Sequence, residues 1–328
     1  MILSNHLQQQ LLSLAGRAPT PHNTQPWELL ISNAGLSMIE DPSRWLPACD
    51  PEKRDHQVGL GAFIEGVHLI LSEEGLGISQ IINESTGERM KYRLEITTGF
   101  TADPLRLEIA KRQCFRGQFE TATASDIETL KTLTKGEAII LSGEQKLNAL
   151  AKESDLAATR SNRNPAIQSE LSHWLRLTEK HPLYHIDGLN REALALPKAV
   201  GFIAQLLMKP PVYRFLDRLG MSAFLNSEAA QIRSATGLVC LQRLSNEETP
   251  LERGRRLYRL WLRLTASGFY ACPQSSLTDD AQASAFLESL TDSDRTYICL
   301  RVGRIGTQNI PPVARRKLVH LSGETHEK

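Results

Sequence analysis

The sequence predicts a mixed α/β (α+β) protein, and three observations carry that reading. Short apolar runs of strand length alternate with longer segments whose apolar residues recur at helical spacing. Helix starts are written in side chains, as at Thr249-Pro250-x-Glu252. A coarse unit of turn, strand, capped helix and strand recurs once in each half, so two similar halves fused in one chain are expected, over residues 1–104 and 105–328.

In chain order, Leu7, Leu11 and Leu12 give a short amphipathic helix that leads to a proline-rich turn over Pro19–Pro26. Trp27–Ser32 and Leu36–Glu40 read as strands joined at Asn33-Ala34-Gly35, a hairpin. Asp50-Pro51 predicts a helix start, with aspartate as N-cap and proline at the first helical position. That helix carries Leu60, Ile64, Val67 and Leu71 as a stripe, and Gly59, Gly61, Ala62 and Gly66 along its length. Small residues let a second helix approach closely. Lys91–Thr97 closes the first unit as a strand. In the second unit, Ser125-x-x-Glu128 reads as a capping box for a helix through Ile127, Leu130 and Leu133, and Ala138–Leu141 follows as a strand. Gly237–Leu241 is a further strand. The Thr249 box opens a helix striped with Leu257, Leu260, Trp261 and Leu264 that stops at Gly268, and Tyr297–Val302 is the last strand. Between these pieces, residues 155–235 form a helical insertion with Trp174 and a break at Pro210-Pro211, long enough to act as a lid.

Lysine and arginine total 38 against 37 acidic residues, so a net charge of +1 offers no overall field for nucleic acid or an anionic membrane, and neither partner is expected. Any anion site has to be local. Five cysteines without a CxxC pair read as reduced thiols of a cytoplasmic protein rather than a disulfide framework or zinc site. Met1–Leu14 lacks a basic leader region and is interrupted by Gln8, Gln9 and Gln10, so no secretory signal is expected. The longest apolar run, Ala199–Met208, is too short to span a bilayer and contains Gln205. Pro182 between His181 and His185 argues against a shared metal-binding helical face, and no metal site is expected.

Four segments could carry chemistry. Ala18-Pro19-Thr20-Pro21-His22-Asn23-Thr24-Gln25-Pro26-Trp27 packs hydroxyl, amide and backbone donors into a turn stiffened by proline, which suits a loop holding a polar ligand as well as an ordinary turn. Arg112-Gln113-Cys114-Phe115-Arg116 sets two guanidinium groups four residues apart, each able to pair with phosphate oxygens, or marks a solvated basic helix end. Ala271-Cys272-Pro273-Gln274-Ser275-Ser276 is a rigid edge that could present a backbone N–H, or a connecting turn. Ala314-Arg315-Arg316-Lys317-Leu318, after Pro311-Pro312, is a local phosphate clamp or a frayed basic tail. Neither GxGxxG, a P-loop, HExxH nor GxSxG occurs.

The first segment resembles the S-x-x-N-x-Q-P-W loop of the FMN-dependent nitroreductase family, and its Pro-His-Asn-Thr-Gln-Pro-Trp form resembles the fused, twin-domain Acg-like branch. Thr20 stands where the family has serine, keeping the hydroxyl and adding a methyl. The second is similar to the family's R-x-S-x-R/K motif, with Cys114 at the serine position, where a thiol donates weakly. In the third, Ser276 replaces a glycine; the fourth resembles an R-R-P-L ending with Lys317 at the proline.

The resemblance implies a nitroreductase-type fold whose halves imitate a homodimer, so that the chain is a monomer with an internal pseudo-dimer, or a homodimer. It implies one FMN held between the halves by Thr20, His22, Asn23 and Gln25 from the first and by Arg112, Cys114, Arg116, Pro273, Ser275, Arg315 and Arg316 from the second. Arg112, Arg315 and Arg316 would anchor the phosphate, Pro273 and Ser275 would lie in the loop near flavin N5, and Arg116 would stabilise negative charge at the N1 edge of reduced flavin. The implied activity is hydride transfer from NAD(P)H through flavin N5 to a small electron-poor acceptor, a nitroaromatic or quinone, with no catalytic side-chain acid or base. The same branch also implies an alternative, FMN sequestration beneath the lid with little turnover.

Overall fold

The computed structural model describes residues 3–32, 35–87, 89–222, 225, 227–308, 310–311 and 313–318. Helix and antiparallel sheet are mixed, as the sequence predicts. One four-stranded sheet, in the order β1-β2-β4-β3, is built from β1 (Trp27–Ser32), β2 (Gly35–Glu40), β3 (Leu76–Asn83) and β4 (Lys91–Thr98). The hairpin forms with Trp27 opposite Glu40 and Ser32 opposite Gly35; its residues 33 and 34 lie outside the described residues. Strand β3 is an element the pattern does not announce. Leu76, Gly77 and Ile78 are all buried, and the register shifts between Ile78 and Gln80, so the two-residue alternation that marks a strand is lost.

A second four-stranded sheet carries β5 (Ala138–Leu141), β8 (Gly237–Gln242), β10 (Thr296–Gly303) and β9 (Tyr270–Pro273) in that order, all neighbours antiparallel.

Two helices knit the two sheets together. Helix α1 (Asn5–Leu14) buries Leu7 and Leu11 beside α2 (Arg54–Leu71), and α2 lies against α9 (Pro250–Ala266). A Cβ on Gly61 would sit 2.0 Å from the Leu251 carbonyl oxygen, and one on Gly254 2.0 Å from that of Val58, so glycine permits this approach. Leu251, Tyr258 and Leu262 of α9 enter the core beneath the first sheet, and Val58 of α2 enters the core beneath the second. Buried Glu65 accepts from Arg255 at 2.7 Å and Arg259 at 2.8 Å across the seam.

Caps decide where helices begin. At α9 the Thr249–Glu252 box is present, and Gly268 follows the helix at φ 76°. Helix α2 starts later than Asp50-Pro51 predicts. Asp50 and Pro51 open a turn closed by Lys53 N–H on the Asp50 carbonyl, and from there the Asp50 carboxylate still reaches His56 N–H at 2.8 Å. In α3 (Ala124–Thr134) the capping box is Thr123 with Asp126, not Ser125 with Glu128. Arg304 fixes Asp126 at 2.6 Å, which selects between two pairs of equal spacing.

The insertion comprises α4 (Glu144–Arg163), α5 (Pro165–Trp174), the parallel pair β6 (Leu175–Arg176) and β7 (Leu189–Asn190), α6 (Lys198–Leu207), α7 (Pro210–Arg218) and α8 (Ala229–Arg233). Helix α4 runs unbroken through residue 155, and Pro210 and Pro211 open α7. Asp155 accepts from Ser227 Oγ at 2.6 Å and Glu228 N–H at 2.8 Å, so the excursion returns to the place it left. The remaining helices, α10 (Ser276–Asp279) and α11 (Ala281–Thr291), follow β9.

Candidate functional site

The Thr20–Trp27 loop is strained and tightly wired. His22, Asn23 and Gln25 all have positive φ (46°, 57° and 53°), a conformation that costs a non-glycine residue energy and has to be held in place by its surroundings. Thr20 Oγ1 accepts from Gln25 N–H at 3.1 Å, while its methyl packs where a Cβ on Gly59 of α2 would come within 2.9 Å. Asn23 donates to the carbonyls of Gly188 (3.2 Å) and Ala314 (3.0 Å). Gln25 donates to the Ile186 carbonyl at 2.9 Å and accepts from Arg316 N–H at 2.8 Å.

These bonds draw the tail onto the loop, where the two basic segments meet. Arg315 donates to Asn23 Oδ1 at 2.7 Å. Arg112, 1% exposed, lies 4.7 Å from the Trp261 ring centroid and donates to the Arg17 carbonyl at 2.7 Å. Arg17 holds the other side of the same turn through the Ile109 and Ala110 carbonyls. Arg17, Arg112 and Arg315 face one another, and none has a carboxylate within 4.0 Å among the described residues. Nε of Arg112 and of Arg315 is buried without a partner among the described residues. Burial lowers the pKa of both, and for Arg315 the repulsion of Arg112 and Arg17 adds to it, bringing the value to about 9.

Arg116 faces a different set of groups. It donates to the Ala193 carbonyl at 3.1 Å, and although burial works against its charge, Cys114 and Glu228 nearby raise its pKa above the ordinary arginine value. His22, neighbouring Arg116 and 3.9 Å from Cys49 Sγ, is neutral, since burial and then the Arg116 charge lower its pKa to about 4. Arg112 and Arg116 therefore share Cys114 as a neighbour but do not converge on one point. Cys114 lies beside β9, with Phe115 N–H on the Ala271 carbonyl at 3.1 Å, and Arg301 of β10 clamps the Phe115 and Gly117 carbonyls at 3.0 Å each. Its sulfur is 3.3 Å from that of Cys272. That hydrogen bond, with the charges of Arg116, Arg301 and Arg112, draws the Cys114 thiol below the usual range and leaves the proton on Cys272.

The structure thus joins Thr20, Asn23, Gln25 and Arg315 by hydrogen bonds and sets Arg112 within electrostatic reach of Arg315 and Cys114, and Arg116 within reach of Cys114 and His22. Arg316 turns elsewhere, donating to the carbonyls of Gln25 and Trp27 and lying 3.8 Å from Asp41, so it straps the tail down instead of joining the cation cluster. Pro273 pairs with Leu300, and the Ser275 carbonyl accepts within its own turn, with Cys272 linking this edge to the network. Arg17 is the member that sequence reasoning missed. A single arginine preceding the loop has no spacing signature, and its position became meaningful through Arg112, far along the chain. A separate hollow of about 220 Å³ opens between α5 and α7, lined by Asn162, Gln168 and Tyr213 among others, and shares none of these residues.

No known protein-family profile matches the chain. Two Mycobacterium tuberculosis proteins, from two strains, that are named as NAD(P)H nitroreductases are each 32% identical to it over 73 residues, 22% of this chain. The chain spans 21% of the length of those curated relatives. Among solved structures it is similar to an FMN-bound nitroreductase from Bacteroides fragilis, with 13% identity over 69% of this chain and 100% of that one and a TM-score of 0.37. It is also similar to the FMN-dependent nitroreductase NfnB from Mycobacterium smegmatis in complex with NADPH, with 15% identity over 62% of this chain and 91% of that one and a TM-score of 0.33. Structural likeness at that level carries no argument about the site.

Proposed function

We propose that this chain is a flavoprotein of the FMN-dependent nitroreductase family, of the fused Acg-like branch, with FMN at the junction of the Thr20–Trp27 loop, the Cys114 segment and the tail. One observation carries the reading: Arg17, Arg112 and Arg315 form a cluster, Arg112 buried and the other two half-buried, with no carboxylate within 4.0 Å among the described residues and with Nε of Arg112 and of Arg315 unpartnered among them. Buried charges without a counterion are costly, and a terminal phosphate bearing nearly two negative charges supplies what the cluster lacks.

FMN, when bound, supplies the chemistry that accepts hydride from NAD(P)H and passes it to an electron-poor acceptor, a nitroaromatic or a quinone. The protein supplies position and charge. Asn23 aims Arg315, and the Arg17 carbonyl aims Arg112, so that three guanidinium groups hold the phosphate. Arg116 keeps a permanent positive charge where it can balance negative charge that develops on reduction. Cys114, whose thiol is drawn below its usual range, replaces the hydroxyl of a serine with a weaker hydrogen-bond donor. Neutral His22 donates from one ring nitrogen without adding charge to a cationic site.

A second reading is favoured by the insertion. The carbonyls of His185, Ile186, Gly188 and Ala193 accept bonds from Arg315 N–H, Gln25, Asn23 and Arg116 respectively, so the lid is fastened to the groups that would hold the flavin. A lid that stays fastened sequesters FMN and excludes NAD(P)H. The visible spectrum of the purified protein, followed by anaerobic addition of NADPH and NADH, separates these readings. Yellow protein that bleaches supports the oxidoreductase, and yellow protein that bleaches with neither nucleotide supports sequestration. Colourless protein that takes up no added FMN overturns both.

A further inference from the structure

The apolar run Ala199–Met208, too short to cross a membrane, forms α6, and with α7 it makes a hairpin whose outer surface is unusual for this molecule. Helix α6 meets the body through Gly201, where a Cβ would lie 3.2 Å from the Leu177 carbonyl oxygen, and through Gln205, which accepts from Leu177 N–H at 3.0 Å. Its opposite face presents Phe202, 68% exposed, with Ile203 and Leu206. Helix α7 anchors itself with buried Tyr213 and turns Phe215, 60% exposed, and Leu219 outward. Seven of the eleven exposed large apolar residues among those described lie between Val200 and Met221, a concentration that marks an interaction surface rather than ordinary surface scatter.

The charges on this hairpin decide what it meets. Lys198, Lys209, Arg214 and Arg218 are all exposed. Lys198 lies 3.4 Å from Glu179, whereas Lys209, Arg214 and Arg218 have no carboxylate within 4.0 Å among the described residues. Asp217, the acid carried by α7, is taken by Arg163 at 3.1 Å and Ser222 Oγ at 2.5 Å. On α7, Arg214 and Arg218 share the outward face with Phe215 and Leu219, a helix that is apolar along its outer crest and cationic at its margin. We propose that the α6–α7 hairpin docks the protein peripherally on an anionic phospholipid surface, with Phe202, Ile203, Leu206, Phe215 and Leu219 entering the headgroup boundary and Lys209, Arg214 and Arg218 meeting lipid phosphates. This is the composition of an interfacial helix, and no helix among the described residues is long and apolar enough to cross the bilayer. A second copy of the chain fits less well, because a self-complementary contact would set like charges against each other. The chain's net charge of +1 does not oppose docking, since attraction at a membrane is felt within about a Debye length, roughly 10 Å, of the patch itself. The proposal does not rest on the flavin reading.

Flotation of the purified full chain with vesicles tests it, comparing pure phosphatidylcholine with phosphatidylcholine containing roughly 30% phosphatidylglycerol. Binding to the anionic vesicles is expected to exceed binding to the neutral ones by about tenfold and to fall steeply at about 0.5 M salt. The double variant Phe202→Ser/Phe215→Ser should lose about tenfold or more of that binding. The charge variant Lys209→Gln/Arg214→Gln, which leaves apolar packing untouched, should lose about as much and serves if the first variant is unstable to heat. Absence of binding to anionic vesicles, or equal binding to both compositions, overturns the proposal. So does sedimentation showing a dimer that the phenylalanine variant dissolves, since the occupant of the patch is then a second copy.

Discussion

Two places tie distant parts of this chain together, and their arginines are treated in opposite ways. At the α2–α9 seam, Arg255 and Arg259 grip Glu65, and Arg259 also binds Asp103 at 2.5 Å. At the junction of loop, Cys114 segment and tail, Arg17, Arg112 and Arg315 crowd together with carbonyls, aromatic rings and the Asn23 amide for company and no carboxylate within reach among the described residues. At the seam the two arginines are matched by carboxylates. The junction leaves its arginines without a carboxylate beside a strained loop, which is why the proposed flavin site is drawn there.

The comparison can be broken first at the seam. Gly61→Ala or Gly254→Ala puts a methyl 2.0 Å from a carbonyl oxygen of the facing helix, so the helices have to part. A loss of about 3 kcal/mol is expected in urea denaturation, because overpacking against backbone has little room to relax. A loss under 1 kcal/mol would mean that the seam is looser than this geometry. At the junction, Arg112→Met keeps an unbranched apolar stem while removing the guanidinium that lies over Trp261 and has no carboxylate within 4.0 Å among the described residues. FMN affinity should fall about 100-fold, near 2.7 kcal/mol, measured by flavin fluorescence quenching. The stability of the flavin-free protein should stay within about 1 kcal/mol or rise, since an uncompensated buried charge has been removed. Glu65→Gln is the matched change at the seam and should cost about 2 kcal/mol, less than for a fully buried pair because Arg255 and Arg259 are partly solvated. If Arg112→Met destabilised the flavin-free protein as much as Glu65→Gln does, the distinction between the two places would fail.

The seam was more legible in the sequence than the junction, and the reason is range. Gly61, Leu257 and Trp261 announce a close helix pair through local spacing, and the Thr249 box fixes where one partner begins. Where two local solutions had the same spacing, as with Thr123–Asp126 and Ser125–Glu128, the distant Arg304 chose between them, and the sequence pattern alone had no means to do so. The same limit applies to the site. The proline-rich loop and both basic segments stood out as motifs, yet the partition of their arginines depends on contacts spanning most of the chain. Arg316 looks identical to Arg315 in sequence but is spent on the carbonyls of Gln25 and Trp27, and Arg17 takes its place in the cluster.

Arg315 carries the finest test of that partition. Burial, then the charges of Arg112 and Arg17, lowers its pKa from the ordinary arginine value to about 9. In the ligand-free protein the folded state therefore releases this proton before the unfolded chain does, and from about pH 9 up to the ordinary arginine value the unfolded state binds more protons. The group's contribution to stability accordingly rises with pH across that window, while below it the full cost of burying the charge is present. Lysines and tyrosines titrate in the same range, so the informative quantity is the difference from Arg315→Gln, whose folded state has no such proton to release. From pH 8 to pH 10 the parent chain should gain roughly 1 kcal/mol relative to the variant in thermal or urea denaturation. Saturating FMN should abolish that gain, because its phosphate keeps the guanidinium charged in the folded state. A parent and variant whose stabilities run parallel from pH 8 to pH 10 would mean that Arg315 is as well compensated as the arginines of the seam.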